Sequence, residues 1–318
     1  MDKQVFLRAI QQIEAGTNVL KELFKQEFSQ QTAAGDAKAK PPAKRKPKIA
    51  TAESLPEQEL GPAPDFLVEE WPEAVPSHLI VSEDAPEPEK RFRAIQILSM
   101  LDRDLSGMRC LDLGCGSGHI AIEMGNKTDT VVAYDVIGKK SWDTFPLLPA
   151  NHSVHFTTSK EGWSEQQFDF ILCYDVLDHL LGEDPIEFLT WARNLLSPRG
   201  VMMMRVHPWT SRHGSHSYEI VNKAYVHLAL TPQELQSNGI TVDSSLRLVR
   251  PLAAYEAITK QAGLKITHKQ AITMEVEDFF GDELLDRINK INWRGNITTE
   301  VAKKIMTTQF IDYTLQRE

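Results

Sequence analysis

An α/β protein with a doubly wound, mainly parallel sheet is what this sequence predicts, on three observations. From residue 90 onward, apolar strand-like runs at 109–113, 130–134, 153–157, 168–174 and 200–206 alternate with helical patterns at 118–124 and 185–196. Strands this continuously apolar are buried on both faces, which calls for helices on each side of the sheet. The first run, Cys110-Leu111-Asp112-Leu113, empties into a turn carrying Gly114, Gly116 and Gly118, and the second ends on Asp135. Ligands of such sheets gather beyond the carboxyl ends of the strands. Gly114–Gly118, Asp135 and Asp175 all fall there.

Two segments of different character precede this core. In residues 1–28, Phe6, Ile10, Ile13, Leu20 and Phe24 recur at steps of four and three, with Thr17 in the missing place. That is a heptad-like helical stripe. A helix this short is marginal alone, so the stripe is expected to bury itself on a second copy, on a protein partner or on its own domain. Residues 29–89 read as a flexible linker, basic and then acidic. The basic run, Lys38 to Lys48, mixes prolines with like charges and is expected to stay extended. It reads as a solvated spacer, with a nuclear-import signal or a nucleic-acid tether as alternatives. Between Glu53 and Glu89 stand eleven acidic residues and seven prolines, with no Lys or Arg. Phe66 and Trp71 are among the apolar residues that would let parts of it lie on the folded domain; alternatively the acidic stretch folds back over a basic site.

The remaining division is a main domain over 90–280 and a C-terminal helical extension over 281–318. At 318 residues, 42% hydrophobic and 8% aromatic, the chain suits one large or two modest domains. Its net charge of -9 is uneven: residues 1–50 carry +5, which leaves -14 for residues 51–318. An acidic main portion argues against a broad nucleic-acid surface, though a local basic patch stays open. No apolar run approaches a membrane span, and no signal-peptide core is present. The expectation is an intracellular, cytoplasmic protein without membrane contact, nuclear if residues 38–48 act as an import signal. Cys110, Cys115 and Cys173 fall in core strands or the glycine turn and read as buried thiols in a reducing compartment.

The glycine turn and Asp135 read as a nucleoside-binding pair. Glycines let the backbone turn tightly and approach a ligand closely, and an acid at the tip of the second strand accepts both hydroxyls of a ribose. A dinucleotide fingerprint would read G-x-G-x-x-G; here the pattern is Asp112-x-Gly114-x-Gly116-x-Gly118. It resembles the first motif of class I S-adenosylmethionine-dependent methyltransferases. The resemblance covers about residues 90–275. It implies a Rossmann-like, seven-stranded sheet and S-adenosyl-L-methionine as cofactor, with the glycine turn under its methionine portion and Asp135 on its ribose. The cofactor-binding set it implies is Asp112, Gly114, Cys115, Gly116, Gly118, Asp135, Tyr174 and Asp175.

Phe168 to His179 resembles the fourth motif of that family, a strand followed by a polar turn and an acidic-His pair, Asp178-His179. This implies Asp175 near the transferred methyl group. Leu195 to Gly200 resembles the turn before the fifth strand, with Arg199 where glycine is more usual. Tyr255 to Ile266 resembles the last helix and the turn into the sixth strand. The third motif departs from the pattern: Phe156-Thr157-Thr158-Ser159 lacks the usual acid, which leaves Glu161 or Trp163 as substitutes beside the adenine. The run Lys290 to Asn296 resembles phage-encoded methyltransferases, which would add the virion as a location. Tyr174-Asp175-Val176-Leu177 is not the Asn/Asp-Pro-Pro-aromatic turn of an exocyclic-amine methylase. Cys173 follows Leu172 inside a strand, which argues against covalent cytosine chemistry.

Acceptor chemistry points to the segment after the fifth strand, His207-Pro208-Trp209-Thr210-Ser211-Arg212-His213-Gly214-Ser215-His216-Ser217-Tyr218. Methyl transfer from a sulfonium is an in-line displacement, so the protein aligns the nucleophile and takes its proton. An imidazole suits that proton transfer. His207, His213 and His216 join Asp175 as candidate catalytic residues, with Trp209 and Arg212 for a planar or anionic acceptor. The competing reading is a loop held together by these side chains. No metal is expected: His213 and His216 have suitable spacing, but no cysteine lies nearby.

Beyond the loop, Ser217–Leu228 reads as a helix and Thr231-Pro232-Gln233-Glu234 as a capping box. Residues 281–318 read as two helices, the second with Val301, Ile305, Met306, Phe310, Ile311 and Leu315 on its apolar side. The leading expectation is methyl transfer from S-adenosylmethionine to an unidentified acceptor. The alternatives are a structural or assembly component working through residues 1–28 and the linker, and a nucleic-acid modifier tethered by residues 38–48.

Overall fold

The computed structural model describes residues 60–75, 86–101, 103–145, 148, 150–180, 183–240 and 249–318. The heptad-like stripe and the basic run lie outside the described residues. The elements are α1 (Glu87–Ser99), β1 (Arg109–Leu113), α2 (His119–Gly125), β2 (Thr130–Tyr134), β3 (Ser153–Thr157), β4 (Phe168–Tyr174), α3 (Pro185–Leu195), β5 (Leu196–Val206), α4 (Val226–Ala229), α5 (Pro232–Ser237), α6 (Leu252–Gln261), β6 (Leu264–Thr273), α7 (Asp282–Trp293), α8 (Thr299–Met306) and β7 (Thr308–Arg317). The helix starts follow local chemistry. Asp184 accepts the Ile186 N–H ahead of Pro185 at α3, and Thr231 and Glu234 form the expected capping box at α5.

Seven strands form one sheet in the order β3-β2-β1-β4-β5-β7-β6. Strands β1 to β5 pair in parallel, and β7 runs antiparallel between β5 and β6. The order reverses between β2 and β4 around β1, so the ends of β1 and β4 open onto the switch point where ligands of such sheets bind. Two apolar clusters cover the faces of the sheet. One contains Leu111, Ile171, Met202 and Tyr313 with α3 and α6 residues; the other contains Cys110, Val131, Phe170 and Leu172 with α1 and α2 residues. Among the described residues no helix is long and apolar enough to cross a membrane.

The structure corrects four expectations. Residues 281–318 are not helical throughout: α8 stops at Met306 and the tail is β7. Burial there alternates through Gln309, Ile311, Tyr313 and Leu315, a period of two, and the ladders offered by β5 and β6 outweigh the partial helical spacing. Ser217–Leu228 is not one helix. Ala224 N–H donates to Pro72 and Tyr225 N–H to Arg212, and Tyr225 adopts a left-handed φ of 55°, so only α4 and a 3₁₀ turn at Ser217–Glu219 remain. Strand β5 begins at Leu196, directly after α3, and not at residue 200. Finally, residues 60–75, placed within the linker, are packed structure, as Phe66 and Trp71 allow. Phe66 and Trp71 join a third cluster with Tyr225, Phe280 and Ile288, and Trp71 Nε1 donates to Ala224 O at 2.8 Å.

Candidate functional site

The glycine turn is held from below by the next strand. Gly114 and Cys115 both donate to Tyr134 O, at 2.8 and 3.0 Å, and Gly118 donates to Cys115 O at 2.9 Å. Two glycines are sterically obligatory. Gly114 has φ +81° and a Cβ there would lie 2.5 Å from Val176 Cγ2; Gly118 has φ +85° and a Cβ there would lie 2.6 Å from the Phe156 ring. After β2 the chain clamps the turn from outside, with Trp142 Nε1 donating to Gly116 O and Ser141 Oγ to Ser117 O. Asp135 Oδ2 accepts the Gly116 N–H at 2.8 Å and Oδ1 the Ile137 N–H at 3.1 Å. Each oxygen keeps a lone pair. The turn faces a cleft of about 260 Å³ lined by Arg93, Cys115, Gly116, Ser117 and Tyr174.

Two carboxyls at the strand ends lack full partners. Asp112 Oδ2 and Asp175 Oδ1 are buried without a hydrogen bond. Burial, reinforced by Asp135, pushes Asp112 up to about 7 against the pull of the Ala121 N–H. Burial and Asp178 push Asp175 up to about 7 against the pull of Arg205 and Arg93. Asp175 also holds a left-handed φ of 54°, an arrangement that persists only where surrounding structure fixes it. Tyr174, next to it, is fixed by Arg205. That guanidinium donates to Tyr174 Oη, lies 4.5 Å from the ring centre, and forms two 2.6 Å bonds to Asp312 of β7.

The loop after β5 closes over the turn after β4. His216 Nε2 lies 2.9 Å from Asp178 Oδ2 and 3.0 Å from His207 Nε2. His179 Nε2 is 3.4 Å from the same Asp178 oxygen and His207 Nδ1 is 3.8 Å away. His213 stacks loosely between His207 and Phe310, with centroids at 5.0 and 4.9 Å. Burial works against the Asp178 charge, but the hydrogen bond with His216 and the surrounding imidazoles hold it well below the usual carboxylate range. Burial pushes His207 down to about 3 and His213 down to about 4, so both are neutral at neutral pH. All three loop histidines singled out in the sequence therefore meet, and Asp178 with His179 joins them.

A sequence profile of the methyltransferase domain matches residues 88–269, more than half of the chain. The chain belongs to this methyltransferase domain family. The ubiquinone biosynthesis O-methyltransferase of Cereibacter sphaeroides is 33% identical over 122 residues, 34% of this chain and 47% of that protein. The same-named enzyme of Rickettsia bellii is 26% identical over 105 residues, 32% of this chain and 42% of that one. The chain spans about half the length of the curated relatives it matches. Among solved structures, a methyltransferase from Archaeoglobus fulgidus has a TM-score of 0.46 at 14% identity, covering 72% of this chain and 94% of that one. Magnesium protoporphyrin IX methyltransferase from Synechocystis, with S-adenosylhomocysteine bound, has a TM-score of 0.45 at 13% identity, covering 76% and 91%.

The methyltransferase domain has residues that fit S-adenosylmethionine. Asp135 offers two carboxylate lone pairs beside the glycine turn, and the partnerless oxygens of Asp112 and Asp175 suit a ligand with ammonium and sulfonium charges. Val136 and Ile137 follow Asp135 and are exposed at 67% and 62%, an apolar shelf that sequence reading passed over. Phe156 is not free beside it, because it packs under Gly118 and stacks on Trp142. Trp163 does not substitute at the adenine: it is core, packed on Tyr134 and Trp191, with its N–H given to Ser159 O.

Two loop residues are likewise reassigned. Arg212 is turned to Glu73 O and the Glu277 carboxylate, and Trp209 packs on His227 while its carbonyl accepts from that ring. They anchor the histidine loop to the rest of the fold. Arg205 and Phe310 were the functional neighbours missed by sequence reading. The only trace of Arg205 was a charge inside an otherwise apolar strand. The cysteines behave as expected: all three are free and buried, and burial raises each thiol.

Proposed function

We propose that the protein transfers a methyl group from S-adenosylmethionine to an acceptor hydroxyl, with the cofactor at the glycine turn and the acceptor at the histidine cluster. The observation that carries this reading is Asp135, pinned by two backbone N–H groups beside a turn that only glycines can make. When bound, the cofactor supplies an electrophilic methyl on a sulfonium and leaves as a neutral thioether. Asp135 accepts the ribose hydroxyls, while Val136 and Ile137 give the base an apolar surface. Asp112 and Asp175 face the positive end with carboxylates that bind more strongly once ionised.

At the other end, an acceptor oxygen must lose its proton as the carbon–oxygen bond forms. His216, hydrogen-bonded to ionised Asp178, is the imidazole placed to receive that proton, and Asp178 balances the resulting charge, while His207 and His213 stay neutral beside it. An oxygen acceptor also agrees with the names of the relatives, which are O-methyltransferases. Buried free thiols fit a reducing interior such as the cytoplasm. Residues 1–28 are a proposed site of self-association or partner binding.

Calorimetry with S-adenosylmethionine tests the cofactor end, and Asp135→Ala with unchanged affinity would overturn it. Radiolabelled cofactor with fractionated lysate tests the transfer. Label in a base-stable methyl ether supports the reading; base-labile label, the mark of a methyl ester, or cofactor binding with no label anywhere counts against it.

A further inference from the structure

The carboxylate and imidazoles gathered after β4 and β5 carry more than a hydrogen-bonded dyad would need. Asp178 Oδ2 has three imidazole nitrogens around it, at 2.9 Å (His216), 3.4 Å (His179) and 3.8 Å (His207). Donor atoms of Asp178, His179 and His216 all lie within 4.8 Å of one another. Ligands held by one ion at about 2.0–2.2 Å stand about 3–3.5 Å apart, which is the spacing of the first two pairs. The rings of His179 and His216 meet edge to face, at 89° with centroids 5.0 Å apart.

A second observation is independent of that spacing. Asp178 Oδ1 is buried and has no hydrogen-bond partner among the described residues, on a side chain only 1% exposed. A buried carboxylate oxygen left unpaired is destabilising. A dyad with His216 occupies Oδ2 and leaves Oδ1 unexplained. A cation held by both carboxylate oxygens would satisfy it.

We propose that Asp178, His179 and His216 form a binding site for one divalent transition-metal ion of the zinc type, with His207 Nε2 placed beside His216 as a fourth donor. Two imidazoles and a carboxylate select this class over magnesium or calcium, which take oxygen donors. Where only Asp178, His179 and His216 bind, the fourth position is open to an oxygen of a small molecule, the pattern of a catalytic ion; with His207 also bound, that oxygen would be a fifth ligand. The acceptor class that follows is a hydroxyl able to bind the ion, whose proton the ion makes easier to remove. This last step rests on the proposed methyl transfer; the metal site does not.

Zinc titration by calorimetry on the full chain, stripped with EDTA, tests the site, with cobalt absorption as a second readout. The expected result is one zinc per chain, a four- or five-coordinate cobalt spectrum, and no displacement by millimolar magnesium. His179→Ala, Asp178→Asn and His216→Ala should each weaken zinc by at least about tenfold, while His155→Ala on β3 leaves it unchanged. His179 is half-exposed, so its removal decides the matter even if the other two variants fold poorly. Absent zinc binding, or binding unaffected by His179→Ala, overturns the site. Zinc bound with no methyl transfer to any acceptor would leave the site standing and overturn the proposed function. Undiminished transfer in EDTA, with no zinc bound, would do the reverse.

Discussion

The two ends of the site are built in opposite ways. Most of the cofactor end comes from one continuous stretch, β1 to Ile137, in which β2 hydrogen-bonds the glycine turn it faces, with Tyr174 and Asp175 added from the end of β4. The proposed acceptor end is assembled from three places: the turn after β4, the loop after β5, and the C-terminal strand β7, which supplies Asp312 to Arg205 and Phe310 to His213. A local site survives changes elsewhere in the chain; an assembled one depends on every segment that meets there. Four experiments can break or sharpen that contrast.

The largest effect is expected at the histidine cluster. His216→Ala should lower kcat by about 10²- to 10⁴-fold and leave S-adenosylmethionine affinity within about twofold. A parallel loss of affinity would mean that the two ends are not separable. Next is the link between the halves. Arg205→Ala leaves half-buried Asp312 without its partner, and should destabilise the fold by about 1–3 kcal/mol in urea titrations. Replacing both partners, Arg205→Met with Asp312→Leu, should recover much of that; no recovery would show that the arginine acts through Tyr174 alone.

Asp135→Ala should weaken cofactor binding by about 10- to 100-fold, the worth of hydrogen bonds to a charged acceptor, with thermal stability little changed. The smallest effect concerns Asp112. Its folded value, about 7, is raised above the unfolded one, so the folded protein binds the extra proton. The associated stability is fully present below about pH 4 and is lost as pH rises through about 7. Asp112→Asn should therefore stabilise the ligand-free protein at pH 8 by at least about 1 kcal/mol and do nothing near pH 4. Thermal melts at the two pH values check this, and an equal effect at both would show that the charge is not the cause.

Much of the first end was legible in the chain. A glycine turn between an apolar strand and a helix, with an acid closing the next strand, is local chemistry, and β1 to β4 fall on the expected residues. The three loop histidines were legible as residue types but not as a cluster, because nothing near them in sequence announces Asp178 and His179 across the sheet end. Arg212 and Trp209 looked equally functional in sequence. Their partners, Glu73, Glu277 and His227, lie far along the chain, so only packing could assign them. The tail from Thr308 was misread because Phe310, Ile311 and Leu315 fit a helical spacing about as well as an alternating one.

By itself, then, the sequence determined the alternation of strands and helices, the glycine turn, Asp135 and the family. Each depends on residues within a few positions of one another, where backbone sterics and strand periodicity act directly. The tertiary structure alone decided that the C-terminal tail completes the sheet between β5 and β6, that residues 60–75 belong to the core, and that one buried carboxylate gathers the imidazoles of two loops. Those outcomes rest on hydrogen-bond ladders and burial between separate segments, about thirty to more than a hundred and fifty positions apart, and leave no local mark in the chain.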